Sequence, residues 1–157
     1  MDSILRPSWD EYFSNVCRLV ATRSTCLRAR HGAVAVIDKH ILCTGYNGAP
    51  PRVPNCCDLG ECYREKNNIP SGQQYERCRA IHAEENILIQ AAKLGIPLEK
   101  ATLYVDDVPC ELCAKRLNAV GLWEIVIISN SGRYSIEALH DFVKRGGIVR
   151  YLNKEKP

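Results

Sequence analysis

The sequence predicts an α/β layered fold from three features: an N-terminal amphipathic helix with a capping box, a hairpin of two apolar segments, and strands alternating with helices over the second half. The helix opens at Ser8, where Ser8-x-x-Glu11 is a capping box. Trp9, Phe13, Val16 and Val20 then recur at helical spacing until about Thr22. Residues 33–37 and 41–46 flank Asp38-Lys39-His40 and read as a hairpin. After a long cysteine-bearing segment, residues 81–94 form an apolar, helix-like run ended by Gly95. A strand at 101–105, a helix opening near Pro109 and a strand at 124–129 follow. A helix at 136–145, the stop Gly146-Gly147 and a strand at 148–152 complete the pattern. Residues 153–157 are expected to be a frayed tail. With no internal repeat, linker or low-complexity tract, residues 1–157 are expected to form one domain.

Composition narrows the class. The 157 residues are 46% hydrophobic and 25% charged, ordinary globular usage. No apolar run approaches the roughly 20 residues that span a bilayer, and the N-terminus lacks a basic-then-apolar export segment. A soluble, cytoplasmic protein without a membrane partner is expected. The net charge of +3 is too small for a nucleic-acid footprint. The nine cysteines are odd in number and come without an export signal, which favours metal binding over a disulfide scaffold.

Two short segments carry the chemistry: His82-Ala83-Glu84 and Pro109-Cys110-Glu111-Leu112-Cys113. His82, Cys110 and Cys113 supply three metal ligands, which leaves the fourth position of a tetrahedral zinc free for water, as a catalytic site requires. Each segment opens a predicted helix, whose dipole favours thiolate over thiol, and Pro109 suits a helix start. Two thiolates and a neutral imidazole balance the charge of zinc. Zinc lowers the pKa of bound water from 15.7 to about 7. Glu84 lies too close to His82 in sequence to ligate the same metal in the same geometry, so it is the proton shuttle. The arrangement is the H-x-E and P-C-x-x-C pattern of the zinc nucleobase deaminases. A structural CxxC and a coincidental tripeptide explain either fragment alone, but not both in this order.

Further segments resemble deoxycytidylate deaminases over nearly the whole chain: Ser8-Trp9-Asp10-Glu11-Tyr12-Phe13, Arg23-Ser24-Thr25-Cys26, Gly32-Ala33-Val34, Thr44-Gly45-Tyr46-Asn47-Gly48-Ala49-Pro50 and Cys78-Arg79-Ala80-Ile81-His82-Ala83-Glu84. That resemblance implies a cytidine-deaminase-like fold, a five-stranded mixed sheet flanked by helices in three layers, with both metal helices on one face. It implies hydrolysis of dCMP to dUMP and ammonia with a catalytic zinc. It also implies a homo-oligomer and, in some members, a triphosphate regulator. The family further includes proteins named for a competence operon.

The resemblance implies a second, closed zinc site as well, in the cysteine-rich first half. Counted without gaps from Gly45-Tyr46-Asn47-Gly48, its ligands are Cys26, Cys56, Cys62 and Cys78, whereas counting back from Cys62 puts Cys57 in place of Cys56. A metal there would order residues 49–77, which lack apolar periodicity and exceed the length of most structureless loops. Cys17 and Cys43 read as core residues. Candidate substrate contacts are Asn47 on its Gly-flanked loop, Ala83, and Tyr134 as the nearest aromatic to stack on a pyrimidine. Gly45 and Gly48 would let the backbone approach a nucleotide closely. Arg23, Arg28, Arg30 and Arg79 would suit a monophosphate, although any single arginine is more commonly a solvated charge. His31, His40 and His140 take surface or core roles by default.

The chain departs from the family where a Thr usually precedes Pro-Cys; it reads Val105-Asp106-Asp107-Val108. The departure keeps two other readings open. One is a zinc deaminase of another substrate: a nucleoside, dCTP, or a cytosine-, adenine- or guanine-type base, including one in RNA. The other is a non-catalytic, zinc-stabilised binding protein of the competence type, for which Glu84 would have no use.

Overall fold

The computed structural model describes residues 5–152; the tail at 153–157 lies outside them. The first helix, α1 (Trp9–Ala21), opens on the expected capping box. The Ser8 hydroxyl accepts from the Glu11 backbone N–H (3.2 Å), and the Glu11 carboxylate accepts from that of Ser8 (2.7 Å). Strands β1 (Gly32–Ile37) and β2 (His40–Tyr46) form an antiparallel hairpin. The turn is shorter than the sequence suggests. Asp38 and Lys39 both take positive φ, 47° and 65°, the two-residue primed geometry that matches strand twist, so β2 already begins at His40.

Residues 47–82 have more local structure than their aperiodic sequence promises. They hold two one-turn helices, α2 (Cys56–Leu59) and α3 (Tyr63–Lys66), and a 3-10 turn at Tyr75–Arg77. Asn55 and Asp58 cap α2 reciprocally. Next come α4 (Ala83–Leu94), β3 (Thr102–Val105), α5 (Glu111–Ala119) and β4 (Glu124–Ile127). The single helix expected at 136–145 is instead a 3-10 turn, Ile136–Leu139, running into the short α6 (His140–Lys144), followed by β5 (Ile148–Tyr151).

The sheet order is β2-β1-β3-β4-β5. β3 runs antiparallel to β1, while β4 and β5 run parallel to β3 and are reached through helical crossovers. Strand alternation divides the core into two layers. Val34 and Val36 of β1 join Tyr104, Val126 and Ile128 against Phe13 and Cys17 of α1. Trp9 was expected in this stripe but is 41% exposed, stacked on Phe13 at the first turn. On the opposite face Ala33, Ala35 and Cys43 join Leu103, Ile125 and Ile127 under Ile87 of α4, Leu117 of α5 and Phe142 of α6. A fully buried Leu, Ile or Phe stabilises by about 1.5–3 kcal/mol relative to exposure, so this layer fixes α4 and α5 side by side. Cys17 and Cys43 are core residues, as expected.

One end of the sheet gathers the motif segments. The register pairs Gly32 with Tyr46 and Ala33 with Val105, so the loops before β1, after β2 and after β3 share an edge. A bridge between Gly48 and Ile81 brings the start of α4 to the same edge.

Candidate active site

His82 is the N-cap residue of α4, Cys110 that of α5, and Cys113 sits in the first turn of α5. Neither cap side chain bonds to its own helix, so both remain free to ligate. His82 Nδ1 lies 3.5 Å from each sulfur, and the three ligand atoms fall within 4.8 Å of one another. Zinc bonds of about 2.3 Å to sulfur and about 2.0–2.1 Å to nitrogen, at tetrahedral angles, hold N and S about 3.5 Å apart. The donor set and its spacing therefore fit zinc. A divalent ion bound here would hold both sulfurs as thiolates.

Glu84 follows in the first turn of α4, 8% exposed, on the wall of a cavity of about 410 Å³ that also reaches His82. That volume lies in the range of small-ligand sites. Burial raises the Glu84 pKa, with the His82 charge opposing, which suits a group that must take up and release a proton near neutrality. Ala83, 1% exposed, lines the cavity beside it.

The wall opposite the metal corner carries the expected loop residues, with their hydrogen bonds largely spoken for. Asn47 Oδ1 accepts from Ser24 Oγ and from the His31 backbone N–H, and its Nδ2 donates to the Ala29 carbonyl. One amide N–H remains for a ligand. The close approach read at Gly45 is made by protein: a Cβ there would lie 2.3 Å from the Ala83 carbonyl oxygen, so this glycine seats α4 on β2. Gly48 is likewise closed off by Thr25. Tyr134 lines the cavity, half-buried, its hydroxyl in contact with that of Tyr75.

Cys26, Cys56, Cys62 and Cys78 all line the same cavity, whereas Cys57 is exposed and turned to Asp58. Neighbouring thiols bear on Cys56, whose pKa burial and the charges of Cys62, Cys26 and Cys78 raise. These four are not drawn together as the first group is. Among the described residues, only His82, Cys110 and Cys113 bring three ligand atoms within 4.8 Å.

Several cavity residues carried no sequence signal of their own. Tyr75 packs edge-on against the His82 ring at 4.7 Å and sits in no motif. His31, given a default role, donates or accepts at both ring nitrogens: Nδ1 is 2.9 Å from Asp106 and Nε2 is 3.1 Å from Arg133. The Asp106 carboxylate raises the His31 pKa against burial. Asp107 accepts from the Ser131 hydroxyl and backbone and from the Val108 N–H. The one available pointer was the departure at Asp106 and Asp107. Of the arginines singled out, Arg28 lines the cavity, paired with Glu65 at 3.4 Å, while Arg23, Arg30 and Arg79 do not line it.

Comparison with known proteins agrees with this geometry. The family model described as the cytidine and deoxycytidylate deaminase zinc-binding region matches residues 7–129. The deoxycytidylate deaminase of Saccharomyces cerevisiae is 37% identical over 153 residues, covering 98% of this chain and 47% of that protein. That of Mycobacterium phage D29 is 39% identical over 126 residues, covering 77% of this chain and 94% of that protein. This chain thus spans about half the yeast relative and nearly all of the phage one. The dCMP deaminase of cyanophage S-TIM5, crystallised with dCMP and dUMP, superposes with a TM-score of 0.73 at 25% identity, covering 94% of this chain and 99% of that one. Among the described residues, no helix is long and apolar enough to cross a membrane. With the family model matching residues 7–129 and a His82, Cys110 and Cys113 group that could hold a metal ion, the chain belongs to the cytidine and deoxycytidylate deaminase family.

Proposed function

We propose that this protein hydrolyses dCMP to dUMP and ammonia. The observation that carries the reading is a buried Glu84, outside the ligand group, beside a zinc-fitting His82, Cys110 and Cys113, at a nucleotide-sized cavity. Zinc, when bound, supplies water acidified to a pKa of about 7. Glu84 carries the protons: each turnover moves two from water, one to ring N3 and one to the departing amino group, leaving the oxygen on C4. Tyr134 and Tyr75 offer aromatic surface beside the metal corner, and Asn47 offers its remaining N–H.

In the same reading, Cys26, Cys56, Cys62 and Cys78 hold a second, closed zinc. Their shared position on the cavity wall and the exposure of Cys57 support Cys56 as the ligand. Binding would draw four thiols inward and tie the segment of α2 and α3 to the loop before β1.

The test is a substrate panel of dCMP, dCTP, deoxycytidine, cytosine and a tRNA adenosine, followed by ammonia release and loss of cytosine absorbance. Preference for dCMP is expected. Turnover of the tRNA adenosine alone would replace this reading with that of an RNA-base deaminase, for which the changed wall at Asp106 and Asp107 is the observation in favour.

A further inference from the structure

Apart from Glu84, the acids on the cavity wall have partners, but two of its bases have no carboxylate. Asp106 holds His31, Asp107 holds Ser131 and the Val108 N–H, and Glu65 pairs with Arg28. Arg64, in contrast, is only 7% exposed, and its Nε has no hydrogen-bond partner. Its Nη2 donates to the Pro70 carbonyl at 2.7 Å, and its guanidinium lies 5.0 Å over the Tyr75 ring. No carboxylate among the described residues pairs with it, nor with Arg133, whose Nη1 lies 3.1 Å from His31 Nε2.

A guanidinium does not give up its proton, so burying one without an anion is costly. Tyr75 and a single carbonyl offset only part of that cost. Arg64 and Arg133 also flank one feature, the touching hydroxyls of Tyr75 and Tyr134, and both charges bear on the Tyr75 hydroxyl. Two ring contacts, 5.0 and 4.7 Å, separate the Arg64 guanidinium from the His82 ring, a span that a nucleoside monophosphate bridges from its base to its phosphate. The forked donors of arginine match phosphate oxygens two at a time.

We infer that Arg64 and Arg133 form the clamp that reads the 5′-phosphate of the substrate, Arg64 as the buried anchor and Arg133 as the exposed arm, with the Tyr75–Tyr134 pair between them. This assignment rests on the reading of the site as a nucleotide deaminase. It makes the two arginines specificity-determining residues, and it places phosphate recognition outside the cluster of arginines that the sequence motifs suggested.

The experiment compares kcat/KM for dCMP with that for deoxycytidine in the zinc-loaded protein. Arg64→Gln and Arg133→Gln are each expected to lower the ratio of the two by roughly 10- to 100-fold, the range for losing a hydrogen bond to a charged group. Arg23→Gln, outside the cavity, is expected to leave it within about twofold. Because Arg64 is buried, Arg133→Gln carries the test should Arg64→Gln fail to fold. A wild-type ratio in both arginine variants overturns the clamp. So does loss of zinc from Arg64→Gln with the ratio intact, which would make Arg64 the counter-charge of the cysteine loop. If the wild type turns over neither compound, the proposed function has failed on its own, and thermal unfolding decides the clamp. A dUMP-induced rise, absent with deoxyuridine and lost in Arg133→Gln, supports it; equal rises in wild type and variant overturn it.

Discussion

The two groups of cysteines around the active site are built by different means. At the metal corner, His82, Cys110 and Cys113 are placed by the first turns of α4 and α5, which a shared layer of buried side chains already holds side by side. Their ligand atoms lie at zinc-compatible distances. On the cavity wall Cys26, Cys56, Cys62 and Cys78 come from loops and one-turn helices, and among the described residues they do not bring three ligand atoms within 4.8 Å. The contrast teaches how packing places ligands: helices held by a shared buried layer carry the tight cluster, and loops with one-turn helices carry the looser one.

The largest expected effect falls on the packed corner. Glu84→Ala should lower kcat by about 10²–10⁴, the usual contribution of a general acid–base, while metal analysis still finds zinc at His82, Cys110 and Cys113. Loss of zinc together with activity would make Glu84 part of the metal corner and remove its separate role. Next comes the loop wall. Cys78→Ser should release one of two zinc ions per chain and lower unfolding stability by about 4 kcal/mol, as losses of a metal do, with the catalytic zinc retained. Finding one zinc in fully folded wild type would end the case for a second site and leave the loop ordered by its own caps.

Gly45→Ala probes how the packed corner depends on the core. A Cβ at 2.3 Å from the Ala83 carbonyl forces α4 off β2, so unfolding stability should fall by about 1–3 kcal/mol. Activity should fall with it, because His82 and Glu84 ride on that helix. Undiminished activity in a destabilised variant would show that the corner tolerates movement of α4.

The smallest effect concerns His31 and Asp106. The Asp106 carboxylate raises the His31 pKa in the folded protein, so the pair contributes most below the ordinary histidine value of about 6.5 and fades as pH climbs through the raised folded value. Asp106→Asn should flatten that upward-pH loss of stability, by about 1 kcal/mol or less for a partly exposed pair. Urea denaturation at several pH values measures it; parallel curves for wild type and variant would exclude a charged His31 from the wall.

By itself the sequence determined whatever depends on near neighbours along the chain. Ser8 and Glu11 cap α1, Gly95 ends α4, and the hairpin and the strands β3, β4 and β5 follow from local apolar pattern. H-x-E and C-x-x-C also state their chemistry locally, because each fits into a single helical turn. Only the tertiary structure decided what reaches the cavity from afar. Tyr75, His31, Arg64 and Arg133 stand in aperiodic segments, and nothing in their spacing tells which loop folds over which helix end. Only packing, in the same way, left Trp9 partly exposed on α1, gave the space at Gly45 to a helix instead of a nucleotide, and turned Cys56 inward and Cys57 out. Spacing along the chain records hydrogen-bonded and helical neighbours, whereas a cavity wall is assembled by the burial of two apolar layers that brings distant loops to one edge of the sheet.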